Sequence, residues 1–342
     1  MSAYTQLQSE LKSDPRVWLV TGVAGFIGSN LAESLLRLGQ RVVGLDNFST
    51  GRKSNLEEVR QHLDHRQWKK FILVEGDLNN LDICQQSCAG VDYVLHEAAL
   101  GSVPASIGNP AGSHAANVTG FLNILMAARD AKVKRFVYAS SSAVYGDDPQ
   151  LPKVEDKIGN ALSPYAATKL MDEIYAGVAW RVYGLNSVGL RYFNVFGPRQ
   201  DPAGAYAAVI PKWIASLLNR QPVFINGDGE TSRDFCYVDD VVQANLLAAT
   251  VAKPGAINQV YNVALGERTT LNELFDLLQT AVRRVDPEIP EQRPVHREFR
   301  PGDIRHSLAS IDKARQLLEY HPACRIGEGL DLAMSWYRKE AK

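Results

Sequence analysis

Seven consecutive residues, Ser163-Pro164-Tyr165-Ala166-Ala167-Thr168-Lys169, hold the densest chemistry in the chain. Ser163 suits a helix N-cap and Pro164 the first helical position. Tyr165 and Lys169 then lie four apart, one turn, on the same helix face. A tyrosine hydroxyl ordinarily loses its proton near about pH 10. An adjacent ammonium favours the phenolate and would equip Tyr165 as a base. A third partner stands upstream in Ser140-Ser141-Ser142-Ala143-Val144-Tyr145-Gly146. A hydroxyl at the C-terminal end of a strand can share the proton being moved. Tyrosine and lysine at this spacing also occur on ordinary helices, and serines cluster in ordinary turns. The three signals together, in this order, are hard to obtain by accident.

A proton-moving pair of this kind needs an electron carrier nearby, and the N-terminal region offers a place for one. The run Val17-Trp18-Leu19-Val20 reads as a buried strand and leads into Thr21-Gly22-Val23-Ala24-Gly25-Phe26-Ile27-Gly28. Glycines at Gly22, Gly25 and Gly28 permit a tight turn and let the backbone approach a pyrophosphate at a helix N-terminus. Asp46 lies 18 residues beyond Gly28 at the end of the second strand. A carboxylate there accepts hydrogen bonds from an adenosine ribose and repels a 2′-phosphate, so NAD is expected rather than NADP. Its cationic nicotinamide would add to the pull of Lys169 on the Tyr165 phenolate, and Lys169 would reach the nicotinamide ribose. Asp77, after the third strand, could bond the adenine amino group or merely cap a turn. His96 is expected to be a structural histidine.

The elements that must position these groups alternate. Strand-like runs at 17–20, 41–45, 71–74, 91–95, 135–139 and 187–191 are separated by helical patterns, notably 119–131 and 164–183. Such alternation predicts an α/β fold, a doubly wound parallel sheet of the Rossmann type with helices on both faces. After Arg191 the texture changes to Gly- and Pro-rich loops with short helices at 210–219 and 271–284. We therefore expect an NAD-binding domain over 1–190 and a smaller α/β substrate domain over 191–342. The stretch 235–262 is expected to return to the large sheet. The stretch 287–299 reads as a surface connection, and 1–15 suggests no role.

Composition narrows the partners. The chain has 342 residues, is 45% hydrophobic and has a formal net charge of −1. No one-signed field builds up, so neither nucleic acid nor an anionic membrane is expected as a partner. The N-terminus lacks an apolar secretory core, and no run reaches transmembrane length. Cys84 and Cys88 are four apart, which fits neither a redox pair nor half of a zinc site. A cytoplasmic protein with free thiols and no metal is expected.

These motifs resemble the extended short-chain dehydrogenase/reductase family over nearly the whole chain. More narrowly, the chain is similar to the UDP-N-acetylglucosamine 4-epimerases of bacterial O-antigen synthesis. Besides the loop at 21–28 and the segment at 163–169, the resemblance rests on the runs at 45–51, 101–106, 190–200, 226–237 and 300–307, which read LDNFSTG, GSVPAS, LRYFNVFGPRQ, NGDGETSRDFCY and RPGDIRHS. It implies NAD contacts from Gly22, Gly25, Phe26, Ile27, Gly28, Asp46, Asn47, Ser49, Thr50, Gly51, Asp77, Leu78, Glu97, Ala99, Tyr165, Lys169 and Val195. Glu97 stands where the resembled epimerases carry glutamine. The resemblance makes Ser141, Tyr165 and Lys169 the catalytic trio. It implies that Ser102, Ser141, Ser142, Asn194 and Val209 meet the sugar or phosphates, that Arg233 and Arg300 clamp the diphosphate, and that Asp303 holds the uridine ribose.

The implied reaction is inversion of a hexose 4-hydroxyl through a transient 4-keto sugar, on a UDP-hexose or UDP-N-acetylhexosamine. In the resembled enzymes the position four after the Asp of the R-x-G-D segment lines the pocket beside the C2 substituent. Here it is Ser307, small enough to admit an N-acetyl group. A 4,6-dehydratase or a decarboxylase would carry a carboxylate shortly after the catalytic hydroxyl, whereas Ser141 is followed by Ser142 and Ala143. A UDP-glucuronate 4-epimerase is the remaining alternative. The resemblance also implies a homodimer formed through the helices around 119–131 and 164–183.

Overall fold

The computed structural model describes residues 2–202, 208–299 and 304–340. Seven parallel strands form its central sheet: β1 (Val17–Thr21), β2 (Arg41–Asp46), β3 (Phe71–Glu75), β4 (Tyr93–His96), β5 (Arg135–Ser141), β6 (Ser187–Tyr192) and β7 (Gln259–Val263). Their spatial order is β7-β6-β5-β4-β1-β2-β3. The order reverses between β1 and β4, where Trp18 pairs with Tyr93 and Thr21 with His96. Helices cover both faces, so β6 is buried at every position and β5 at all but its last. That explains their continuous rather than alternating apolar sequence. β3 is the exception. It lies at the sheet edge, with Ile72 62% and Leu73 41% exposed.

The principal helices are α1 (Ala3–Ser13), α2 (Phe26–Arg37), α3 (Gly120–Asp130), α4 (Pro164–Tyr183), α5 (Val209–Leu218), α6 (Val238–Thr250), α7 (Leu271–Val285) and α8 (Ile326–Glu340). α4 begins where its caps dictate. Ser163 Oγ accepts the Ala166 N–H at 3.1 Å and Pro164 opens the helix. It ends at Gly184, whose φ of +71° only glycine adopts without strain. The expected segment 119–131 is α3, preceded by one wide helical turn over Ala115–Thr119.

Two features depart from the sequence expectations. The polar N-terminal stretch forms α1, capped by Ser2, with Leu7 and Leu11 buried against the main core. Each leucine contributes about 2 kcal/mol on burial. Within 287–299, Val295–Arg297 forms a short strand pairing in parallel with Phe224–Asn226. The segment 235–262 holds α6, packed on the sheet, and most of β7, which pairs with β6. A second apolar cluster joins α5, α7 and α8 through Trp213, Phe275, Leu278 and Trp336. It buttresses the loops at the C-terminal ends of the strands.

Candidate active site

The loops that leave β1 to β6 enclose a cavity of about 1020 Å³ at the C-terminal ends of the strands. Doubly wound sheets bind ligands there because the strand order reverses. At the head of the cavity the backbone makes a tight turn. Gly22 has a φ of +65°, and a Cβ on it would lie 2.8 Å from the Ala98 backbone. A Cβ on Gly28 would lie 2.1 Å from the Gly22 carbonyl oxygen. No described side chain caps α2, whose N-cap is Gly25. The first N–H groups of α2 therefore face the cavity, and such an end attracts a phosphate. Asp46 is fixed by two backbone donors, Ala24 N at 2.8 Å to Oδ2 and Phe48 N at 2.8 Å to Oδ1. Its remaining lone pairs suit ribose hydroxyls. These features fit a dinucleotide.

Every cofactor contact expected from the sequence lies on this cavity wall, including Asn47, Ser49, Thr50, Gly51, Leu78, Ala99 and Val195. Asp77 does two jobs: it faces the cavity and accepts from Asn79 N at 2.8 Å and Asn47 Nδ2 at 2.7 Å. The Asn79 bond, then the Asn47 amide, hold its carboxyl below the usual range against a modest burial penalty. His96 is structural: its Nδ1 lies 2.8 Å from Thr21 Oγ1, and burial lowers its imidazole to about 3.

Tyr165 and Lys169 line the same cavity, together with Ser141 and Ser142. The Tyr165 N–H, which the helix leaves unpaired, donates to Ser106 Oγ at 3.1 Å. Lys169 is buried and donates to the Ala139 carbonyl at 2.9 Å and Asp172 Oδ2 at 3.3 Å. Burial alone would lower its pKa. The charges of Asp172 and Tyr165 and the Asp172 hydrogen bond outweigh it, so the ammonium is held above its ordinary value. Two of its three donors are engaged, which leaves one for a ligand. Ser141 Oγ accepts Ala143 N at 3.1 Å, so its own proton can be donated into the cavity.

Ser106 and Asp172 escape a motif-only reading. Asp172 carries a visible signal, a carboxylate three residues after the lysine on one helix. Ser106 carries none, because its target lies 59 residues away.

Asn194, Arg233 and Ser307 are also on the wall. Asn194 is anchored through Nδ2 to the Asp234 carbonyl at 3.0 Å, and Ser307 N donates to the Ser232 carbonyl at 3.0 Å. Two expected contacts stand just off the wall. Ser102 lies between the wall residues Gly101 and Val103, and its hydroxyl accepts Ala105 N at 3.1 Å as the cap of the helix Val103–Gly108, which leaves its own proton to donate. Val209 opens α5 and packs into the second apolar cluster, and Ala208 takes the wall position. Arg300 and Asp303 lie outside the described residues.

A parallel sheet with a glycine turn, a ribose-binding carboxylate and a tyrosine–lysine pair on one cavity defines a dinucleotide-dependent enzyme of the short-chain dehydrogenase/reductase type. The chain belongs to the NAD dependent epimerase/dehydratase family, whose model matches residues 18–264. Within that family it is an epimerase of the UDP-sugar 4-epimerase group, with NAD as cofactor. It is 37% identical over 325 residues to the UDP-glucose 4-epimerase of Mycolicibacterium smegmatis, covering 95% of this chain and 99% of that protein. It is 32% identical to the UDP-glucuronate 4-epimerase of Thermodesulfobacterium geofontis, covering 94% and 96%. A solved UDP-N-acetylglucosamine 4-epimerase from Methanobrevibacter ruminantium, in complex with UDP-N-acetylmuramic acid, superposes with a TM-score of 0.86 at 37% identity, covering 95% of this chain and 99% of that one. Among the described residues no helix is long and apolar enough to cross a membrane.

Proposed function

We propose that the enzyme interconverts UDP-N-acetylglucosamine and UDP-N-acetylgalactosamine, with UDP-glucose and UDP-galactose as a secondary pair. The observation that carries this reading is Ser307, a small side chain on the wall of the cavity that Tyr165 also lines. A larger residue there would fill the space an N-acetyl group needs.

In this scheme Tyr165 takes the proton of the sugar 4-hydroxyl, the 4-keto sugar turns about its diphosphate linkage to present the other face of C4, and Tyr165 returns the proton to the same oxygen as that face is reduced. Ser141 donates to the same oxygen and shares that proton. Lys169 stabilises the phenolate and uses its remaining donor on the cofactor ribose. Bound along the glycine turn and Asp46, NAD supplies the reversible two-electron oxidation at C4. Arg233 and Asn194 hold the diphosphate and sugar, and Arg300 and Asp303 are assigned the second phosphate contact and the uridine ribose. We read 1–190 with 235–262 as the cofactor half and the rest of 191–342 as the sugar-nucleotide half.

Dehydration or decarboxylation would want a carboxylate beside Ser141, where Ser142 and Ala143 stand. UDP-glucuronate is the competing 4-epimerase substrate. A lysine on the wall, Lys153, could meet a uronate, but Asp148 already engages its ammonium through main chain and carboxylate. The test is incubation with UDP-N-acetylglucosamine, UDP-glucose and UDP-glucuronate, with the products resolved chromatographically. Ser307→Tyr should lose N-acetylhexosamine turnover by roughly tenfold or more relative to glucose, since overfilling a tight pocket costs about 1–3 kcal/mol. Equal losses on both pairs would refute the assignment.

We also propose a homodimer. Met171, Ile174, Tyr175, Val178 and Val182 recur at helical spacing on α4 and are all exposed, Ile174 at 56% and Val182 at 63%. An uncovered apolar stripe of that length marks an interaction surface. Four unpaired thiols, two of them buried neighbours on one helix, fit the cytoplasm, where O-antigen sugar nucleotides would be made.

A further inference from the structure

Glu97 has no part in the scheme above, yet it sits on the wall of the same cavity as Tyr165 and Lys169. Its Oε1 accepts the Tyr192 hydroxyl at 2.9 Å, and that hydroxyl oxygen accepts Asn245 Nδ2 at 2.8 Å. Its Oε2 is buried and has no partner among the described residues. A buried polar atom left unpaired calls for an explanation, and a missing ligand group is one.

The groups that face it come from four elements. Lys169, beside Tyr165 on α4, supplies a positive charge, with Asp172 behind it. Tyr192 on β6 donates to it and has Cys236 on its far side. Asn245 on α6 is neutral. His96 precedes it on β4 as a neutral imidazole turned to Thr21. Burial is the largest influence and pushes the Glu97 carboxyl up to about 8, while Tyr192 and Lys169 pull the other way. One further positive charge nearby would bring the carboxylate into the neutral range.

We propose that Glu97 is a positioning residue that couples the charge of the nicotinamide to a proton: its carboxylate steadies the oxidised, cationic ring, and it takes up a proton when the ring is reduced and neutral. This rests on placing the nicotinamide beside Tyr165 and Lys169. The balance is simple. The ring gains two electrons and one hydrogen from the sugar carbon and loses its positive charge. Glu97 gains one proton from water, and no bond to carbon changes at Glu97. An epimerase must end every turnover with oxidised cofactor, and a carboxylate at this point favours that form.

The test is a partition experiment on the holoenzyme. Wild type, Glu97→Gln and Tyr192→Phe are equilibrated with mixtures of NAD⁺ and NADH between about pH 6 and about pH 9, desalted, and the bound ratio read by absorbance. In wild type the preference for NAD⁺ should rise with pH by roughly tenfold, the factor that one pKa unit of coupling represents. Glu97→Gln keeps the shape of the side chain and should hold the low-pH ratio throughout. Tyr192→Phe removes a bond that favours the carboxylate and should move the rise to higher pH. The proposal is overturned if Glu97→Gln keeps the wild-type trend, which would assign the titration to Tyr165 or Lys169. It is equally overturned if the variant weakens both nucleotides alike, which is a structural contact only. The placement of the nicotinamide fails separately, through full turnover in Tyr165→Phe.

Discussion

Replacing Gly28 by alanine should weaken NAD binding while leaving most of the fold. A Cβ at this position would lie 2.1 Å from the Gly22 carbonyl oxygen and 2.8 Å from its carbonyl carbon. Comfortable contact begins near about 3.5 Å. The backbone of α2 and that of the turn must therefore separate by more than about 1 Å, and no rotamer relieves it. Gly22 cannot drift freely: its N–H donates to the Leu45 carbonyl at 2.8 Å, and its own carbonyl accepts Gly25 N at 2.9 Å. The movement falls on the N–H groups at the start of α2 that face the cavity. Overpacking of this kind costs about 1–3 kcal/mol. If half of that, about 0.5–1.5 kcal/mol, falls on the bound state, NAD affinity drops about two- to tenfold, since each factor of ten is about 1.4 kcal/mol. The assay is NAD content of the purified protein, followed by NAD titration and thermal unfolding with and without the nucleotide. Gly327→Ala is the control, a helical site where a Cβ meets nothing within 4 Å. Wild-type NAD content and affinity in Gly28→Ala would refute the assignment of this turn to the pyrophosphate.

Tyr165→Phe should lower turnover by roughly 10²- to 10⁴-fold, the usual worth of a positioned general base, with thermal stability nearly unchanged; turnover within a few-fold of wild type would remove Tyr165 from the chemistry. Glu33→Gln should destabilise the fold by about 2 kcal/mol at neutral pH, because Glu33 lies 2.8 Å from buried Arg199, whose other ion-pair partner among the described residues, Glu58, is farther off at 3.5 Å, with Asp239 acting on it only through its charge. Burial raises the Glu33 carboxyl, but Arg199 and then Arg37 outweigh it, so its folded value is depressed. The contribution is thus present above the ordinary carboxylate range and lost as pH falls through the folded value, and chemical denaturation curves of the two proteins should converge in acid. Ile174→Glu on α4 should halve the mass seen by light scattering; an unchanged mass would locate the interface elsewhere.

How far the sequence reaches depends on whether burial leaves a local mark. β5 and β6 are visible because cover on both faces makes them continuous apolar runs, and the structure extends them only to Ser141 and Tyr192. α4 is visible at both ends because Ser163, Pro164 and Gly184 each do a backbone job. α1 is invisible for the opposite reason: two buried leucines in eleven polar-rich residues make no convincing stripe, and the helix holds by docking on α6. The strand Val295–Arg297 is exposed at all three positions, so neither period nor apolarity announces it.

The same distinction divides the site. Backbone geometry writes itself into sequence, since a turn that brings Gly28 against Gly22 admits no other residue. A side chain's partner does not. Ser102 shows the ambiguity: a serine before Val103-Pro104 suits both a helix cap and a sugar contact, and its hydroxyl accepts the cap bond while keeping a proton to donate. Glu97 shows the reverse. Its partner Tyr192 lies 95 residues away, and Asn245 a further 53 beyond. No spacing rule links the three, because β4, β6 and α6 become neighbours only when the sheet closes. Yet that contact decides the chemistry of Glu97. In water it would be an ordinary anion at neutral pH. Buried between a phenol and an ammonium, it becomes a group whose charge can answer to a ring beside it. Motifs therefore locate the machinery here, and long-range burial sets the state of its groups. The partition experiment on Glu97→Gln probes the second independently of the first.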